Sequence, residues 1–174
     1  MLTGNKCLIR PLSIEDLDLT YKWSTEQNHL GSFMGAKMIY KDKYKEKMKN
    51  VFSDNSSFYA IIEDTSNHPL GLINYFQTKA SDVTLEIGIL IAKPEARGKG
   101  IGEEALRLFI DYIFNTQPQI RRIQFKTRID NKGMKRIGEK VGFKIEGTLR
   151  NYKFDQGEIR DYHMASIIRE NWKE

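Results

Sequence analysis

Cysteine is almost absent from this sequence, and the single residue of this type, Cys7, excludes a disulfide within the chain. Chains that fold without disulfides are typical of a reducing compartment, so we expect a cytoplasmic protein. No apolar run approaches the roughly 20 residues that a membrane-spanning helix needs. The three histidines are scattered and show no metal-ligand spacing, so the sequence predicts neither a membrane protein nor a metal site.

The composition also lacks the features of a disordered or nucleic-acid-binding chain. Of 174 residues, 40% are hydrophobic and 29% are charged, a globular balance that predicts one domain over residues 1–174. The net charge is +5, but the basic residues are spread along the chain without interleaved aromatic residues. Nucleic acid is therefore not the expected partner, whereas a polyanionic cofactor or a negatively charged partner suits the charge. Cys7 lies in a predicted strand and is interpreted as a small core residue.

A glycine-rich loop is the most informative stretch of the chain. Arg97-Gly98-Lys99-Gly100-Ile101-Gly102 separates an alternating strand, Val83–Ala92, from an amphipathic helix, Glu103–Asn115. Glycines let a ligand approach the backbone, and the start of a helix offers free N–H groups and a positive dipole end. The loop matches neither the nucleotide-triphosphatase motif nor the dinucleotide fingerprint. It predicts a phosphate cradle, to which Arg97 and Lys99 add charge.

The order of the predicted elements is β α α β β β α β α β β. The residues in Gln27–Lys37 show no clean period and are predicted to form a loop. Arg122–Ile129 alternates, with polar Gln124, Lys126 and Arg128 on one face. Asn131 then begins a helix that ends at Gly142, and two C-terminal strands form a hairpin. This predicts an α/β (α+β) fold, a mixed and mostly antiparallel sheet of about seven strands with a central parallel pair and helices on both faces.

The motifs closely resemble those of the GNAT acetyltransferases. The sequence R-G-x-G-x-G at Arg97–Gly102 resembles their pyrophosphate loop, and Asn131 with Gly142-Phe143 resembles their N-x(10)-G-F ending. The tail from Gly147 to Met164 and the opening around Ile9-Arg10 resemble the RimJ/RimL branch, near the polyamine acetyltransferases. The resemblance covers nearly the whole chain and implies acetyl-CoA as the acetyl donor.

The resemblance also implies roles for individual residues. Backbone groups of Ile89, Leu90 and Ile91 would pair with the pantetheine arm where this strand parts from the next. The N–H groups of Arg97, Gly98, Lys99, Gly100, Ile101 and Gly102 would hold the pyrophosphate. Asn131 would hydrogen-bond the cofactor.

Acetyl transfer to an amine needs a neutral amine, a hydrogen-bond donor that stabilises the developing oxyanion, and a thiolate that can leave. Glu86 is the only carboxylate within the strand before the loop, and it is the predicted general base, directly or through a water. The alternative is a structural glutamate. The backbone N–H of Ile89 or Leu90 would serve the oxyanion. Many GNAT enzymes use a tyrosine as general acid where this chain has Gly138, so no acid is assigned; Tyr152 and Tyr75 are predicted to be core residues.

The acceptor is the open question of the sequence. The leading hypothesis is an N-acetyltransferase acting by direct attack of a primary amine, either a protein N-terminus or a small molecule. Polyamine, amino-sugar or antibiotic acceptors are alternatives. Among them, the basic residues Arg122, Lys126 and Arg128 on one strand face would suit a negatively charged acceptor such as an amino-sugar nucleotide. A non-catalytic acyl-CoA-binding sensor is a hypothesis from another class, and a homodimer stays open. The segment Gln27–Lys37 and the C-terminal hairpin are expected to select the acceptor.

Overall fold

The computed structural model describes residues 1–79 and 81–172, which form one eight-stranded sheet and five α-helices. The predicted domain of residues 1–174 also includes Ala80, Lys173 and Glu174, which lie outside the described residues. The strands are β1 (Leu2–Thr3), β2 (Leu8–Pro11), β3 (Ser57–Glu63), β4 (Pro69–Gln77), β5 (Thr84–Ile91), β6 (Arg122–Arg128), β7 (Lys144–Asp155) and β8 (Glu158–Ile168). The helices are α1 (Leu17–Thr25), α2 (Gln27–Leu30), α3 (Lys41–Ser53), α4 (Ile101–Thr116) and α5 (Lys132–Val141).

The strands lie in the order β1-β2-β3-β4-β5-β6-β8-β7. Every neighbouring pair is antiparallel except β5 and β6, which are parallel because α4 crosses between them. The parallel pairing covers only Thr84–Glu86 of β5 against Arg122–Gln124 of β6. From Ile87 onward β5 continues beside β4 alone. The predicted mixed sheet with a central parallel pair is therefore confirmed, and it opens in the middle.

Helices cover both faces of the sheet, as predicted. Alternation along β5 sends Leu85 and Ile87 to one face, where they pack with α4, whose Phe109 and Ile113 are fully buried. Leu90 points to the other face, where a smaller cluster forms around Trp23 of α1 and Met48 of α3. Cys7 is fully buried in the larger cluster, which confirms that it is a core residue.

Two short elements differ from the sequence prediction. Strand β1 has only two residues, too few to show an alternating pattern, so it was not predicted. The segment predicted as a loop from Gln27 to Lys37 begins with the short helix α2. The Gln27 side chain then holds the irregular part, because its amide nitrogen donates to the carbonyls of Gly31 and Met34 and its oxygen accepts from the Ala36 N–H. Local hydrogen bonds, and not an apolar stripe, order this segment.

Candidate active site

A cleft of about 670 Å³ opens where β5 and β6 separate. Its walls come from the end of β5, the glycine loop, the first turn of α4, the inner side of α5 and the segment Leu30–Met34. Most of the predicted cofactor residues line it, namely Ile89, Leu90, Ile91, Arg97, Gly98, Gly100, Gly102 and Asn131. The structure thus brings together predicted cofactor residues that are up to about forty positions apart in the sequence, from Ile89 to Asn131.

The glycine loop has the backbone of an anion cradle. Gly98 and Gly100 have φ angles of +74° and +83°, a region that residues with a Cβ rarely adopt. A Cβ added at Gly98 would meet nothing within 4 Å, so the backbone here is open to a ligand. Gly100 directly precedes α4, whose first amides have no earlier turn to bond to. Free N–H groups at a helix start fit a pyrophosphate.

The side chains and carbonyls of several loop residues make contacts within the protein itself. The guanidinium of Arg97 donates to the carbonyls of Ile91 (2.9 Å) and His29 (2.6 Å), so it ties the end of β5 to α2. These neutral carbonyls do not remove the charge of Arg97, which lines the cleft, so its contribution to the cradle stays a prediction. The side chain of Ile101 is buried in the core, and the Lys99 carbonyl accepts from Lys6 Nζ at 3.2 Å.

The end of β5 is shaped by close backbone approach. A Cβ added at Gly71 on β4 would lie 2.0 Å from the Leu90 carbonyl oxygen, so only glycine fits there. The Leu70 carbonyl accepts from the N–H groups of both Ala92 and Lys93, which turns the chain away from the sheet. Beyond Glu86 the edge of β5 that faces β6 has no strand pairing in the described part of the chain. The main-chain groups of Ile89 and Leu90 lie in the stretch of β5 predicted to meet the pantetheine arm.

Asn131 begins α5 as predicted. Its side-chain oxygen accepts a hydrogen bond from the Met134 N–H at 3.0 Å, and the helix ends at Gly142 with a φ of +112°. Asn131 also lines the cleft. Its oxygen is used by the helix cap, so its amide nitrogen is the group that would reach a ligand.

Glu86 lies outside the cleft wall and faces the opposite side of β5. It is the last residue of β5 to pair with β6, so it stands at the point where the two strands separate. Its Oε2 atom accepts from Gln124 Nε2 at 3.0 Å and from Lys126 Nζ at 2.8 Å. An open trench of about 720 Å³ leads to it between the end of α3 and the β4–β5 turn.

The polar face of β6 is an ion-paired layer that the sequence did not reveal. Gln124 and Arg128 are only 8% and 6% exposed. Each cation of this face has a carboxylate partner: Arg122 pairs with Glu146, Lys126 with Glu86, and Arg128 with Asp130 and Asp155. Because these cations are already paired, they do not support a negatively charged acceptor. Burial alone would lower the pKa of Lys126, but its hydrogen bonds to Glu86 and Tyr152 outweigh burial and raise it.

Tyr75 and Tyr152, both predicted to be core residues, lie in different surroundings. Tyr75 is partly buried and packs against the core beside Phe58 and Phe109, and its hydroxyl accepts from Gln117. Tyr152 is 44% exposed, and Lys126 Nζ lies 5.4 Å from its ring centre. The prediction that Tyr152 is a core residue is therefore wrong.

The buried thiol of Cys7 is not a nucleophile at this site. Burial, followed by a hydrogen bond and charge repulsion from Glu104, raises its pKa to about 12. Within residues 1–79 and 81–172 there is no cluster of three metal-ligating side chains. None of the helices in the same ranges is long and apolar enough to cross a membrane.

The sheet that opens between β5 and β6, with a glycine loop at the start of α4, defines an acyltransferase of the coenzyme A-dependent class. The Acetyltransferase (GNAT) domain matches residues 6–144, and the chain belongs to this family. It is therefore an N-acetyltransferase, and acetyl-CoA is its donor substrate.

Similar proteins span the whole chain. The Probable N-acetyltransferase YjcK of Bacillus subtilis (strain 168) is 27% identical over 97% of both chains. The Spermidine N(1)-acetyltransferase of Vibrio cholerae is 23% identical over 97% of this chain and 96% of its own. A crystal structure of spermidine N-acetyltransferase from Vibrio cholerae with CoA and spermine superimposes with a TM-score of 0.86, at 22% identity, over 97% of this chain and 98% of that one. This likeness shows the same fold.

Proposed function

We propose that the enzyme acetylates a primary amine by direct attack on the thioester, with Glu86 as the general base. The observation that carries this proposal is the place of Glu86 at the last paired residue of β5, where the sheet opens toward the cofactor cleft. Among the residues that the structure describes, both hydrogen-bonding contacts of its carboxylate use Oε2. Oε1 is then the oxygen that accepts a proton from the amine, directly or through a water.

The step balances without a further reactant. The amine nitrogen forms a C–N bond to the acetyl carbonyl carbon, the C–S bond breaks, and the amine proton passes to Glu86. Coenzyme A then leaves as its thiolate. Because the pKa of a thiol is about 8.5, this departure does not require a general acid. A backbone N–H of Ile89 or Leu90 would stabilise the oxyanion.

The pyrophosphate would rest on the N–H groups from Arg97 to Gly102, and the Asn131 amide would contact the same substrate. The cleft supports this assignment because Gly98 leaves open space where any other residue would place a Cβ. Interactions of this kind position the thioester and do not take part in the chemistry.

The charge beside Glu86 favours an acceptor amine that is already partly neutral. The Glu86 carboxylate accepts from the Lys126 ammonium at 2.8 Å, and this ammonium would repel a second cation brought to the same carboxylate. An α-amino group, with a pKa of about 8, is partly neutral at pH 7, whereas a lysine-type amine at about 10.4 is almost fully protonated. We therefore propose the N-terminal α-amine of a peptide or protein as the preferred acceptor. The RimJ/RimL-like assignment within the family is part of this proposal.

A polyamine is the second candidate, because one relative and the superimposed structure are named for spermidine. Such a ligand carries several positive charges and would need acidic side chains that are free to bind it. Two acidic side chains near the start of α1 are already paired, Asp16 with Arg10 and Asp18 with Lys41 and Lys45. This pairing is our ground for ranking the α-amine above the polyamine.

The test is release of coenzyme A thiol from acetyl-CoA with a panel of peptides, spermidine, amino sugars and aminoglycosides. A peptide with a free N-terminus should react, and the same peptide with a blocked N-terminus and one internal lysine should react at least about tenfold more slowly. If spermidine is turned over faster than the peptide, the polyamine and not the α-amine is the preferred acceptor. Tight acetyl-CoA binding with no turnover on any amine would favour the sensor hypothesis.

A further inference from the structure

We propose that Arg128 is a positioning residue that holds the segment Gly31–Lys37 against the cleft. This segment, together with the β7–β8 turn, is named the acceptor gate below. The inference rests on the proposed function, because it takes this segment, whose residues Gly31 to Met34 line the cleft, as the part of the site that was expected to select the acceptor.

Arg128 lies at the last position of β6 and is only 6% exposed. Its Nε and Nη2 atoms donate to the two carboxylate oxygens of Asp130 at 3.0 and 2.6 Å. Its Nη1 atom donates to Asp155 Oδ2, at 3.3 Å, beside the β7–β8 turn. Its guanidinium carbon stands 5.4 Å from the ring centre of Phe33. One side chain thereby joins the sheet, the hairpin and the acceptor gate.

Phe33 is the part of the gate that meets both Arg128 and the cleft. A second contact fixes the same arrangement, since the side-chain amide of Gln156 in the β7–β8 turn donates to the Ser32 carbonyl at 3.3 Å. Gln27 anchors the other end of the segment. The segment therefore depends on contacts from distant parts of the chain and not on a helix or strand of its own.

An arginine is needed at this position for a geometric reason. The planar guanidinium makes a two-bond pair with Asp130, reaches Asp155 and still presents a flat face to the Phe33 ring. A lysine would keep the charge but offers a single ammonium, which cannot make these contacts at once. Because the gate is ordered before the amine binds, the amine does not have to order it.

The kinetic test compares Arg128→Lys with a matched control, Arg10→Lys. Arg10 is also held by two carboxylates, Asp16 and Glu63, but neither it nor its partners line the cleft. Arg128→Lys should raise the KM for a reactive peptide amine by about 3- to 30-fold, with the Kd of acetyl-CoA changed less than about twofold. The Arg10→Lys variant should leave both constants unchanged. Equal losses of amine and acetyl-CoA binding in Arg128→Lys would overturn the proposal.

Hydrogen exchange of the wild type and the two variants, without amine, tests the positioning independently of turnover. Peptides covering residues 31–37 should exchange faster in Arg128→Lys and at the wild-type rate in Arg10→Lys. Unchanged exchange in Arg128→Lys would overturn the proposal even if its activity falls. If the wild type acetylates no amine, the proposed function fails, and the exchange result still decides the role of Arg128.

The single variant Phe33→Leu covers the case in which Arg128→Lys does not fold, and where both variants fold a double-variant cycle connects them. Phe33→Leu alone removes the ring and should raise the KM for the amine. If the ring and the guanidinium act together, the double variant should be little worse than the poorer single variant. Independent, multiplicative effects, or an unchanged KM in Phe33→Leu, would contradict the assignment.

Discussion

Gly138 lies directly against the ring of Phe125, and a Cβ added to this glycine would be 2.7 Å from Phe125 Cζ. The position where many GNAT enzymes carry a tyrosine is therefore filled by a core side chain of β6, itself packed against Phe143 at 4.9 Å between ring centres. The missing acid is a property of the packing, and a tyrosine at residue 138 would not fit without moving Phe125.

Gly138→Ala should consequently destabilise the protein by about 1 kcal/mol, because overpacking outweighs the helix propensity that alanine adds. In a Phe125→Leu background, which removes the obstructing ring atoms, the same substitution should become neutral or stabilising. Urea unfolding of the four proteins measures both effects. A stabilising Gly138→Ala in the wild-type background would show that the ring does not restrict this position.

The glycine loop gives a second prediction, on cofactor affinity. Gly98→Ala places a Cβ in the open face of the cradle at a φ of +74°, so the Kd of acetyl-CoA should rise at least about tenfold. Calorimetric titration measures the change. Gly157→Ala is the control, since this glycine has a φ of +86° and open space but lies in the β7–β8 turn. Because alanine is strained at a positive φ, Gly157→Ala should lower the free energy of unfolding by about 1–2 kcal/mol, and its affinity for acetyl-CoA should stay unchanged. Equal affinities in the two variants would contradict a cradle at Gly98.

A third prediction concerns stability in acid. The Arg122 guanidinium, opposed by partial burial and aided by the Ser166 hydroxyl, lowers the pKa of Glu146 from 4.5 to about 2. The unfolded chain therefore binds more protons between these two values, and the contribution of this pair to stability falls as the pH drops from about 4.5 toward 2. The free energy of unfolding of the wild type should exceed that of Glu146→Gln near pH 6, and the gap should narrow near pH 3.5. A gap that is independent of pH would contradict the pairing.

The features that the sequence predicted are those carried by short-range patterns. The alternation along Val83–Ala92, the glycines from Gly98 to Gly102 and the cap at Asn131 each depend on neighbours in the chain, and each was correctly placed. The target of Arg97 was not predictable, because His29 and Ile91 reach it from separate elements. The same holds for Arg128: its alternation suggested a polar face, while its burial depends on Phe33 and Asp155.

The layer of paired charges on the polar face of β6 has a similar explanation. Lys126 appears in the sequence as one of many basic residues, and only the register of β5 with β6 brings it to Glu86. Alternation on a strand assigns a face, but it does not say whether that face meets water or opposite charge. The partner of the predicted base was therefore visible only in the structure.

The central claim is that Glu86 takes the proton of the attacking amine, and the Glu86→Gln variant tests it most directly. Glutamine keeps the shape and can still meet Gln124 and Lys126, but it cannot accept the proton. The account predicts that kcat for a reactive peptide amine falls by about 10²- to 10⁴-fold, while the Kd of acetyl-CoA changes less than about twofold. Glu139→Gln, which removes an exposed carboxylate of α5, should behave as the wild type. An unchanged kcat in Glu86→Gln would contradict the account and leave Glu86 as the structural partner of Lys126.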